Sequence, residues 1–128
     1  MFAFARDCAS SAPPGSVNPA VLAEAHIERY LDLAGSERDA YLNRPEVRQE
    51  LYQAADRSVS HPEFQRTYHW VDAHNLFAFV FNAMGDHRRA ADSFRAVGRL
   101  ATSYPWGSAG PDEVAQFVRG RNNALAKG

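Results

Sequence analysis

Apolar positions along this chain recur at helical spacing. The densest run, His74 to Met84, is apolar around nearly its whole circumference. A helix apolar on every side has to be enclosed by neighbours, so this run predicts a central packing element. Gly85 is placed to stop it and Asp86 to cap the next helix, on which Ala90, Ala91, Phe94, Val97 and Ala101 form one stripe.

The remaining helices announce themselves by their starts. Asn18-Pro19 predicts an opening, with a helix running to Ala34-Gly35 and Ala23, Ile27, Tyr30 and Ala34 on one face. Ser36-x-x-Asp39 resembles a capping box for a short helix to about Leu42. Asn43-x-x-Glu46, with Pro45 between, opens another, whose inner face is Val47, Leu51, Ala54 and Ser58. Ser60-x-x-Glu63 with Pro62 predicts a further start, either a single turn or a longer helix running towards Met84. Gly110-Pro111-Asp112-Glu113 opens the last helix, with Val114, Phe117, Val118 and Leu125 expected against the preceding pair. No stretch alternates apolar and polar residues over five positions with β-branched enrichment. The expected fold is therefore all-α, a single helical domain over 1–128. It divides into antiparallel hairpins at 18–59 and 62–101 and a capping helix at 111–126. Ser10–Ser16 and Ser103–Gly110 read as linkers inside that domain, the first one following a short N-terminal helix.

Composition narrows the class. A chain of 128 residues, 45% apolar and 23% charged, can bury a core of ordinary size. No apolar run approaches the roughly 20 residues that span a bilayer, and Met1-Phe2-Ala3-Phe4-Ala5-Arg6-Asp7 lacks the form of a secretory signal; the expectation is a cytoplasmic protein with no membrane partner. Cys8 is the sole cysteine, which excludes an internal disulfide or a cysteine-based zinc site. A net charge of −1 disfavours nucleic acid, whose binding rests on many phosphate contacts. The charge is uneven, with the excess of acid before Gly85 and of base after it, and 13 of the 14 basic residues are arginine.

Phe77-Ala78, Phe81, Gly85-Asp86, Ala90 and Phe94 sit at the spacing of large, small and aromatic contacts in a tetratricopeptide repeat, which the 62–101 segment resembles. His74, Val97 and Pro105 depart from that pattern. Ala23–Glu28, Arg44-Pro45-Glu46-Val47, His74–Phe79, Ala83–Asp86 and Tyr104-Pro105-Trp106-Gly107 resemble the C-terminal part of an uncharacterised actinobacterial family. That resemblance implies a tetratricopeptide-like helical fold, and that further helices precede this segment. It implies no activity and no functional residue.

Candidate chemistry is sparse. No phosphate loop, nucleophile elbow or helical zinc motif occurs, and neither cofactor nor metal is expected. His69 and Asp72, three apart, would touch on a helix, as would Trp70 and His74; an oriented His-Asp pair can serve as a general base. Arg88, Arg95 and Arg99 share a helical face, with Asp92 interrupting it; this is either an anion- or acid-binding patch or a solvated face. Trp106, between Pro105 and Gly107, reads either as a partner anchor or as the residue that locks the last helix onto the hairpin. His74 and Asn75 would line a groove between helices.

The expected function is a non-enzymatic helical-repeat module that binds another protein or completes a longer array. His74, Asn75, Arg88, Arg95, Arg99 and Trp106 are its candidate contacts, and self-association is possible through uncovered apolar surface. The alternative is a small metal-dependent or acid/base hydrolase using His69, Asp72 and His74.

Overall fold

The computed structural model describes residues 2–128. Among them are eight helices and no strand: α1 (Phe2–Ser11), α2 (Ala20–Asp32), α3 (Gly35–Tyr41), α4 (Pro45–Asp56), α5 (Trp70–Met84), α6 (His87–Val97), α7 (Trp106–Ala109) and α8 (Glu113–Lys127). The protein is all-α. No described helix is long and apolar enough to cross a membrane.

Helix α5 is the centre, as its uniform apolarity requires. Phe77, Ala78, Val80 and Phe81 are fully enclosed, with α2 and α6 packed against α5. The turn to α6 is built as the residues dictate. Gly85 takes φ +87°, and the Asp86 amide reaches back to the Phe81 carbonyl at 2.9 Å. The Asp86 carboxylate then accepts from the Arg89 amide at 3.1 Å and caps α6. Ala90, Ala91, Phe94 and Val97 are buried, whereas Ala101, beyond the helix end, is exposed.

Pro45 starts α4, and its face of Val47, Leu51, Ala54 and the following Ser58 is buried. Asp112 caps α8 through the Ala115 amide at 3.1 Å. The caps expected at Asn18, Ser36 and Asn43 are not formed, and α2 starts after Pro19 with no side-chain cap. Helix α3 opens two residues early, after Ala34, without the Ser36 side chain, and Asn43 donates to the Asp39 carbonyl instead of capping α4.

Three expectations change. No helix starts at Ser60: residues 57–64 form linked turns, and the His61 ring nitrogen occupies the Glu63 amide at 3.0 Å, the partner a capping serine would need. Gly15, at φ +84°, lies so close to the Glu63 backbone that a Cβ would sit 2.8 Å from it, which pins this segment to the 13–16 loop. The second helical unit thus begins at Trp70. On α8, Val114 and Val118 face outward, while Phe117 and Ala124 are buried. The helix turns that face inward because Gly120 allows it to lie on Trp106 and Phe94, 3.2 and 3.3 Å from where a Cβ would stand.

Candidate functional site

The start of α2, the first two turns of α5 and the 102–104 segment frame an open cleft of about 560 Å³. Val21 and Leu76 give it an apolar wall, and Asn18, Glu24, His69, Asp72 and Tyr104 supply its polar groups; no lysine or arginine lines it. Helical spacing explains the convergence. Ala20 and Glu24 are four apart on α2, and Asp72, Ala73 and Leu76 recur at one, three and four on α5.

The cleft concentrates negative charge. The Glu24 carboxyl is pushed above its ordinary range by burial, and further by the nearby Glu28 and Asp72 carboxylates. The Tyr104 hydroxyl is enclosed and has no hydrogen-bond partner among the described residues. Burial, then Glu28, Glu24 and Asp32, push its pKa up to about 12. A phenol facing a row of carboxylates stays protonated and can only donate or accept a hydrogen bond. His69 begins α5 in the left-handed region at φ +67°, uncommon for a residue with a side chain. Its Nδ1–H donates to the Asp72 carboxylate at 3.0 Å. Both side chains are more than half exposed.

His74 does not join that pair. It is buried on the other side of α5, its Nδ1 3.1 Å from the Ser93 hydroxyl and its ring edge-on to Phe64. Burial, helped by the Arg66 charge, lowers its pKa to about 4, so the imidazole is neutral at ordinary pH. Asn75 and Trp106 are also interior. The indole N–H donates to the Asn75 side-chain carbonyl at 2.8 Å, and the Asn75 amide donates to the Val71 and Leu100 carbonyls. Trp106 packs on Phe79, Phe94 and Phe117, with ring centroids 5.3 to 5.7 Å apart. Of the six expected contact residues, these three are therefore enclosed and present no face to a partner. Trp106 locks α7 and α8 onto the core. Arg88, Arg95 and Arg99 are exposed, and Arg95 lies 3.6 Å from Asp92, so part of that row is paired within its own helix.

A second polar cluster is structural. His26, 2% exposed, sits between the Tyr41 hydroxyl and the Glu50 carboxylate, each at 2.7 Å, and Glu50 also accepts from Arg6. Tyr41 donates to Nδ1 and Nε2–H donates to Glu50, which satisfies every polar atom of the ring. No group of three or more His, Cys, Asp or Glu side chains able to hold a metal occurs among the described residues.

Sequence reasoning missed Tyr104, which reads as linker, and singled out neither Glu24 nor Glu28. Their spacing of four was visible, but the approach of Asp72 and Tyr104 to that face joins residues far apart in the chain.

Fold and cleft together define an all-helical protein with an acid-lined opening between helices. No protein-family model, curated protein or solved structure matches this chain.

Proposed function

We propose that this is a non-enzymatic helical-repeat module of tetratricopeptide-like hairpins that binds a protein partner by seating one of its basic side chains in the acid-lined cleft. One observation carries the reading. Glu24, crowded by two further carboxylates and held above its ordinary pKa, shares a cleft of about 560 Å³ with the unpartnered Tyr104 hydroxyl and no cation. A lysine or arginine head would relieve the carboxylate repulsion and give the phenol an N–H to accept. The resemblance to an uncharacterised actinobacterial family supports the repeat architecture and a bacterial source.

Amide chemical shifts are the test. A short arginine-bearing peptide should shift the amides around Glu24, Asp72 and Tyr104, and the same peptide with glutamine in place of arginine should not. Equal shifts from both peptides, or none from either, would refute the reading.

The bonded His69–Asp72 pair in the same cleft favours one competing reading, an acid/base hydrolase. It would have to work without His74, which faces Ser93. Hydrolysis of a model ester or amide that vanishes in His69→Gln would establish it, and a flat response across a broad substrate panel would dispose of it.

A further inference from the structure

A separate groove opens between α5 and α8, closed at one end by the α2–α3 junction and independent of the acid-lined cleft. Its volume is about 380 Å³, within the range of small-molecule sites. Ala83, Ala109 and Gly120 leave it unfilled, because none carries a side chain long enough to cross it. Its apolar surface is aromatic: Tyr30 stands edge-on to Phe79 at 6.2 Å, and Phe79 edge-on to Trp106 at 5.3 Å.

The polar rim is rich in donors. Gln116, Arg119, Gly120 and Asn123 recur at three, four and seven along α8, so one face of that helix borders the groove. Arg119 is exposed, and neither its guanidinium nor the Gln116 amide has a side-chain partner among the described residues. Arg38 borders the opposite side, held over the Tyr30 ring. Its Nε and Nη2 donate to the carbonyls of Tyr30, Leu31 and Leu33 that end α2, which leaves Nη1 unused. No carboxylate lines this groove, in contrast to the other cleft.

We propose that this groove binds a small planar aromatic carboxylate, its ring laid against Tyr30 and Phe79, which Trp106 backs from the interior, and its carboxylate paired with Arg119. The aromatic surface selects a flat ring over an aliphatic body. Two guanidiniums without a competing acid select an anion, and the planar fork of arginine matches a carboxylate. This site needs no basic partner and stands whether or not the acid-lined cleft binds one.

Titration of the full chain with 2-naphthoate, followed by amide chemical shifts, tests it. Saturable shifts should be confined to residues 30–38, 79–83, 106–109 and 116–123. Binding of 2-naphthylmethanol, which lacks the charge, and of cyclohexanecarboxylate, which lacks the ring, should each be weaker by about tenfold or more. Arg119→Glu should weaken 2-naphthoate to a similar degree at an unchanged melting temperature, since this side chain is exposed; Arg119→Gln serves in its place if that variant unfolds. Equal binding of the alcohol or of the aliphatic acid would overturn the ligand class. Shifts elsewhere in the protein, or an affinity indifferent to Arg119, would overturn the site.

Discussion

His74 and Glu24 both lie in surroundings that oppose their charged forms, and each leads to a test. The unfolded chain protonates His74 near pH 6.5, the folded protein only near 4. Between those values the unfolded state holds more protons, so the contribution of neutral His74 is complete above pH 6.5 and is lost as pH falls towards 4. Its full size is on the order of 3 kcal/mol. Denaturant unfolding of the protein and of His74→Gln should therefore differ most at pH 7, with the gap closing by about pH 4.5; a gap independent of pH would contradict the burial of a neutral imidazole. Glu24 has the opposite sign. A carboxyl held above its ordinary range by burial and by neighbouring carboxylates costs folding free energy wherever it is ionised. Glu24→Gln should raise the melting temperature by a few degrees while abolishing the response to the arginine peptide. A lower melting temperature would mean that the carboxylate has a stabilising partner in the fold.

At the level of elements, stability concentrates where α5, α6, α7 and α8 meet. Phe81 and Phe94 are fully buried, so Phe81→Ala or Phe94→Ala should each cost about 3–5 kcal/mol in denaturant unfolding, a large share of a domain's total. An unchanged melting temperature for both would sink the α5–α6 packing. Gly120 makes a finer point. Alanine is the better helix former by up to about 1 kcal/mol, yet its Cβ would stand 3.2 Å from Trp106 and 3.3 Å from Phe94. The aromatic cluster has little room to yield, so Gly120→Ala should be net destabilising, by roughly 1–2 kcal/mol. A gain in stability would show that α8 can lift off the cluster without loss.

Across the whole molecule, α1 packs chiefly against a single helix, α2. Ala5 and Ala9 are its buried residues, Phe2 packs against the His26 ring, and the Arg6–Glu50 pair and the Arg57 guanidinium on the Ser10 and Ala12 carbonyls tie it to α4. Burial alone would raise the Glu50 carboxyl, but Arg6 and His26 outweigh it and hold the group below its ordinary range. The stabilisation from Glu50 is thus present at neutral pH and is lost as pH falls below about 4.5 and through its folded value. Helix α1 should exchange its amide hydrogens at a lower opening free energy than α5, and Glu50→Ala should speed α1 further with little effect on α5. Equal protection of the two helices would place α1 in the same cooperative unit as the core.

Much of the architecture is local and was legible in the sequence. The turn at Gly85, the caps at Asp86 and Asp112, the proline start of α4 and the stripes at Val47–Ser58 and Ala90–Val97 each depend on residues within a few positions of one another. Backbone conformation and helical periodicity act over that range. Ser60–Glu63 was misread because a neighbouring histidine and a distant glycine decide it, and the outward turn of Val114 and Val118 follows from how closely Gly120 lets α8 approach Trp106. The clefts were invisible for the same reason. Amphipathic stripes say that a helix must be covered but not by which face of which neighbour, and a site between helices exists only once those pairings are made. So the chain's own sequence determined that this protein is a set of short helices around an apolar one. The tertiary packing alone decided that Glu24 and Asp72 would crowd together beside Tyr104, that His74 and Trp106 would be inside, and that Arg119 would face an aromatic groove.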